Sequence, residues 1–135
     1  MDIYNSKYLH IAFFAEQRLI EATWLSESKM MNTEECKQEF LNYLDVVRKQ
    51  GSMRMLVDTS DMYFTFGLEM QDWINQTIFT QFLNMGINKV AIVISKDFFA
   101  QLSTNQAMNE KEALKHTREY FDHKEAAKKW LLSAT

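Results

Sequence analysis

Leu9, Ile11 and Phe13 alternate with His10, Ala12 and Phe14, and Ile20, Ala22 and Trp24 alternate with Glu21 and Thr23. A period of two marks a strand with one face on a core, so the two segments predict a β-hairpin. The turn between them, around Glu16 and Gln17, lacks the Asn-Gly or Gly-X chemistry of a two-residue loop, which predicts a longer connection. From Thr33 to Gln50 the period changes to that of a helix, with Cys36, Phe40, Leu44 and Val47 on one face. Asn32 with Glu35, or Thr33 alone, is placed to cap its start, and Gly51 its end.

Met53 to Val57, interrupted by Arg54 and ending in Asp58, and Val90 to Ile94 are nearly continuous apolar runs. That pattern belongs to strands covered on both faces. Between them, Glu69 to Met85 carries a wide apolar face of Met70, Trp73, Ile74, Thr77, Ile78, Phe82 and Met85, and Gly86 follows as a second helix stop. Asp97 is placed to cap a further helical stretch bearing Phe98, Phe99 and Leu102, with a break at Ser103 to Asn105. Thr117 to Phe121 reads as a short edge strand. Asp122 with Glu125 is expected to form a capping box for a last helix presenting Ala126, Ala127, Trp130 and Leu131. The predicted order is ββαβαβαβα. Strand-helix alternation implies right-handed crossovers, hence an α/β fold whose mixed, mostly parallel sheet carries an N-terminal β-hairpin.

With 135 residues, the chain has room for a single domain, expected over 1–135, and for an ordinary hydrophobic core. The formal charge of -3 offers no broad attraction to nucleic acid or to an anionic membrane. No apolar run approaches the roughly 18 residues of a membrane span. A lone cysteine, Cys36, cannot make an internal disulfide, and the first residues do not form a signal peptide, so a cytoplasmic location is expected. Three glycines and no prolines leave no glycine cluster to cradle a phosphate, which excludes a Rossmann fingerprint or a P-loop.

Several of these segments carry a family resemblance. They are Met55-Leu56-Val57-Asp58, Glu69-Met70-Gln71-Asp72-Trp73, Asn88-Lys89-Val90-Ala91-Ile92-Val93-Ile94, and Tyr120-Phe121-Asp122 followed by Glu125-Ala126 and Trp130-Leu131. Together they resemble the SpoIIAA-like branch of the STAS (anti-sigma-factor antagonist) superfamily, whose sandwich is similar to the CRAL-TRIO lipid-binding fold. The resemblance spans almost the whole chain and implies a small bacterial protein of a family mostly without demonstrated activity. Phosphorylation-switched members carry an Asp-Ser-Ser-Gly-like signature where the loop after a central strand enters a helix. Here that region reads Thr65-Phe66-Gly67-Leu68, without the serine, although Thr65 is nearby and Thr59-Ser60 ends the strand.

In an open α/β sheet, ligands and partners meet the crevice beyond the C-terminal strand ends. Asp58 to Leu68 lies there. Met62, Tyr63, Phe64 and Phe66 are more apolar bulk than a solvated connection needs, so they either wall a pocket or partner surface or fold back over the core. Asp58, Thr59, Ser60 and Asp61 offer several oxygens to a polar ligand or a cation, but Asp and Ser at a strand end more often make local turn bonds. The candidate binding residues are Asp58, Thr59, Ser60, Tyr63, Phe64, Thr65, Phe66 and Trp73. His10, His116 and His123 show no metal-ligand spacing and Cys36 falls on an apolar face, so no metal, cofactor or catalytic residue is assigned. The C-terminal Lys111, Lys115, Arg118, Lys124, Lys128 and Lys129, interleaved with acids, read as a solvated face.

These readings favour a non-catalytic regulatory or interaction domain that meets a protein partner, or itself as a homodimer, through the Asp58 to Leu68 loop. The alternative is a carrier of a small apolar molecule or lipid, suggested by the CRAL-TRIO similarity and by the aromatic and Met-rich segments. An enzyme is the least supported reading, because no nucleophile-base pair stands out.

Overall fold

The structure is a computed structural model and describes residues 1–51, 54–62, 68–87, 89–95 and 118–133. Its centre is a six-stranded sheet in which every strand pairs with its sequence neighbours. The strands are β1 (Asp2–Asn5), β2 (Leu9–Phe14), β3 (Leu19–Trp24), β4 (Arg54–Asp58), β5 (Lys89–Val93) and β6 (Arg118–Phe121). β1, β2 and β3 are antiparallel, and β3 through β6 are parallel. The hairpin and the parallel portion stand as the sequence predicts. β1 is an addition, because its ladder to β2 shifts register between Asp2 and Tyr4 and so spoils the alternation a strand search relies on.

The β2–β3 connection is longer than two residues, as its composition requires. Ala15–Gln17 make one 3-10 turn, and Arg18 closes it in the left-handed region at φ 51°. Helix α1 (Thr33–Gln50) starts with the capping box: Glu35 N donates to Asn32 Oδ1 at 2.7 Å and Asn32 N to Glu35 Oε1 at 2.9 Å. It stops at Gly51, whose φ of 63° is the left-handed conformation that favours glycine.

The second helix, α2, runs through Leu68–Trp73, Ile74–Phe79 and Thr80–Asn84, and its middle segment is wound as a π-helix. Its buried residues Met70, Ile74, Ile78 and Phe82 are spaced by four. On an α-helix each such step drifts by about 40° around the axis. The wider π turn cancels much of that drift and keeps the row on the sheet.

Alternation along the strands divides the interior in two. One face, with Leu9, Ile11, Ile20, Ala22, Trp24, Met55, Val57, Val90 and Ile92, packs against α1 and α2 in the larger core. The other face supplies Leu19, Leu56, Ala91 and Val93, which meet Ala127 and Leu131 of helix α3 (Lys124–Leu132). Helices therefore cover both faces, which explains why β4 and β5 are apolar along their length.

Two details of α3 depart from expectation. Its N-cap is His123 without a side-chain cap bond, so Asp122 and Glu125 do not form the capping box. Ala126 is exposed, while Ala127 and Leu131 are buried and Trp130 is half-buried against Phe121. The predicted helical stretch from Asp97 through Phe98, Phe99 and Leu102 to Ser103–Asn105 lies outside the described residues.

Candidate functional site

The C-terminal end of β4 sits in the middle of the parallel strands, with Asp58 in register with Thr23 on one side and Val93 on the other. Its polar groups are engaged locally. Asp58 Oδ1 accepts from Ser60 N at 3.0 Å and from Ser60 Oγ at 2.6 Å, the turn in which an aspartate carboxylate stands in for a backbone carbonyl. Thr59 donates both its amide and its hydroxyl to Val93 O, each at 2.8 Å. Met62 N then donates to Thr59 O at 3.0 Å, and the Met62 side chain packs half-buried against the larger core. The chain thus leaves the sheet along a fixed path.

Asp58, Thr59 and Ser60 are brought together in this turn. Trp73 engages α1: its ring meets Phe40 edge to face at 6.5 Å, and the Lys37 ammonium lies 5.5 Å from the ring centre. Tyr63, Phe64, Thr65 and Phe66 lie outside the described residues. Asp61, Glu69, Gln71 and Asp72, which bracket that segment in sequence, are exposed.

Cys36 is fully buried, and burial together with the nearby charge of Glu39 pushes its thiol up to about 12, far from a reactive thiolate. His10 lies 3.0 Å from Asp2, His123 stands 3.9 Å from Asp122, and His116 is outside the described residues. Among the described residues no group of three or more His, Cys, Asp or Glu is placed to hold a metal ion. No helix among them is long and apolar enough to cross a membrane.

Two buried acids escape the sequence reading. Glu21 is a polar member of the alternating β3 pattern, yet it is buried beneath α3, where Lys124 Nζ and Lys128 Nζ reach it at 3.0 and 2.8 Å. Burial pushes its carboxyl up, but the two ammonium groups outweigh that and hold it below the usual carboxylate range. These two lysines keep the solvent exposure expected of that face, while their ammonium groups turn in to pair with Glu21. Their spacing of four, which sets both on one side of a helix, was the available signal. The other buried acid, Glu39 on α1, accepts from Tyr4 and Ser6 near the N-terminus.

Cationic groups also fasten the other end of α3. Arg54 Nε donates to Leu131 O at 3.0 Å, and Lys89 Nζ donates at 3.0 Å to Trp130 O, which also accepts from the amide and hydroxyl of the C-cap residue Ser133. Arg118 is likewise engaged, over the Phe79 ring at 4.7 Å and within 3.3 Å of Asn75 Oδ1.

The sequence pattern of the SpoIIAA-like family matches residues 22–132, from β3 to the end of α3. The chain belongs to the SpoIIAA-like family. The match takes in the end of β3, strands β4 to β6 and helices α1, α2 and α3, and the six-stranded mixed sheet is consistent with the STAS fold. Comparison with curated proteins and with solved structures returns no match. Membership of this family fits a STAS-type domain, a class that typically mediates protein interactions.

Proposed function

We propose that this SpoIIAA-like domain is a non-catalytic, cytoplasmic regulatory module that docks a protein partner through the Asp58 to Leu68 loop and the first turn of α2. Family membership is the observation that carries this reading. The β4 end supports it in a second way. Asp58, Thr59 and Ser60 already bond to one another and to β5, so they serve as a rigid base for the loop. The sequence then places Tyr63, Phe64 and Phe66 beyond that base, flanked by Asp61, Glu69 and Asp72. Large aromatic residues flanked in sequence by charged ones match the composition of an interface centre and its rim.

A carrier of a small apolar molecule or lipid is the second reading. It would need room between the sheet and its helices. On the α1 and α2 side, Trp24, Phe40, Tyr43 and Phe82 pack ring against ring with centroids 4.9 to 6.5 Å apart. That packing favours the interaction reading. Native mass spectrometry of the purified protein, followed by denaturing extraction, separates the two. The interaction reading predicts polypeptide mass alone, whereas a stoichiometric, extractable small molecule overturns it.

A further inference from the structure

β1 and β6, the two edge strands, are the shallowest of the sheet: neither has a buried side chain, and in β1 Ile3 and Tyr4 pack at the margin of the larger core. The register shift between Asp2 and Tyr4 turns these two residues to opposite faces although they are two apart. Asp2 meets His10, with Oδ1 to Nε2 at 3.0 Å. On the α1 side, Tyr4 Oη donates to Glu39 Oε1 at 3.0 Å, and the Ser6 hydroxyl donates to Oε2 of the same carboxylate. Asn42 Nδ2 supplies another donor to Oε1 at 3.3 Å. Ser6 Oγ in turn accepts from the amides of Tyr8 and Leu9 at 3.1 and 3.0 Å. Glu39 is 6% exposed, and among the described residues no lysine or arginine is paired with it. A buried carboxylate on a helix thus depends on hydroxyl groups from the N-terminal segment.

Two consequences follow from this arrangement. Lifting β1 away costs few deep apolar contacts, so this edge strand opens more readily than β2 to β5. The place it leaves is nevertheless unfavourable to keep empty, because Glu39 would lose both hydroxyl donors and keep only Asn42 of its own helix, and β2 would become a bare edge. The segment with the matching hydroxyls, carboxylate and bulge is the chain's own N-terminus, taken from any copy. We propose that β1 is an exchangeable strand, which swings about residues 6–8 and seats beside β2 of a second copy in a reciprocal dimer. The proposal stands apart from the Asp58 to Leu68 loop and does not depend on the reading of that loop.

Asn5 and His10 face each other across the ladder, and Cys36 is buried, so cysteines introduced at the first two positions are the reactive ones. Full-length Asn5→Cys and His10→Cys variants are mixed at high concentration and oxidised gently, with the double variant as the intramolecular control. The expected result is a covalent heterodimer in excess over either homodimer. Its rate of formation should rise roughly 10- to 100-fold when Glu39→Gln is added to both chains, because the substitution removes hydrogen bonds to a charged group. A double variant that closes on itself while the mixture gives no excess heterodimer overturns the proposal, as does a rate indifferent to Glu39→Gln. Amide exchange gives a reading without cysteines: Glu39→Gln should accelerate exchange in residues 1–14 and leave β4 and β5 protected. Equal acceleration throughout the sheet, or none, overturns it as well.

Discussion

Replacing Lys124 and Lys128 together by methionine leaves Glu21 in place but strips it of both ammonium partners. Breaking a buried ion pair from one side costs about 3–5 kcal/mol, because the remaining charge stays uncompensated. The Glu21 side chain is only 8% exposed, whereas the lysines are 44% and 39% exposed, so the site lies under the rim of α3 where some water can follow. That places the expected loss near the lower end, about 3 kcal/mol. For a domain of this size it corresponds to a fall of roughly 12 °C in melting temperature.

The pH dependence has a definite sign. In the native protein Glu21 is held below its ordinary range, so its contribution is present above the unfolded carboxylate range and fades as pH falls through the lower folded value. In the double variant burial acts without opposition and raises the same carboxyl, so its penalty is full near neutrality and shrinks on acidification. Urea unfolding at pH 7 and at pH 4.5 reads both effects. Adding Glu21→Gln to the double variant removes the stranded charge and should restore most of the lost stability. A loss below about 1 kcal/mol at pH 7, or no recovery with Gln at position 21, would refute the reasoning.

Further outcomes can be checked alongside. Leu131→Ala empties a fully buried position between α3 and the sheet and should cost about 2–5 kcal/mol by chemical denaturation. With its thiol held up to about 12, Cys36 should resist iodoacetamide at pH 8 in the folded protein and react at once in denaturant. Gly51→Ala meets nothing within 4 Å, so its cost, about 1–2 kcal/mol in the same assay, should come from the left-handed backbone alone. Asn32→Ala removes half of the capping box and should cost about 1 kcal/mol.

The legible parts of the fold were those whose local and global demands agree. In α1, Cys36, Phe40, Leu44 and Val47 recur at helical spacing between a capping box and a glycine, and every one is buried. β4 and β5 read as covered strands because helices do lie on both faces. What sequence did not reveal depended on partners far along the chain. Glu21 looks like the solvent half of an alternating strand, since nothing local says that α3 closes over it from about a hundred residues away. β1 is short and bulged, so Asp2 and Tyr4 violate the period that would have disclosed it. Position 123 rather than 122 caps α3, a one-residue shift that side-chain preference could not foresee.

The candidate site was legible in part. Asp58, Thr59 and Ser60 were recognisable as strand-end turn formers, and they form that turn. Trp73 was visible as part of an apolar helix face, but its pairing with Phe40 and Lys37 depends on how α1 and α2 meet. The remaining candidates, Tyr63, Phe64, Thr65 and Phe66, rest on composition and on the position of the loop at the strand ends.

The central claim is that this SpoIIAA-like domain meets a protein partner through that loop, and paired affinity capture from the source cells tests it most directly. Wild-type protein and Phe66→Ala are immobilised at equal density after their melting temperatures have been matched. The account predicts a protein retained by the wild type and lost by Phe66→Ala. The same protein held equally by both would contradict it.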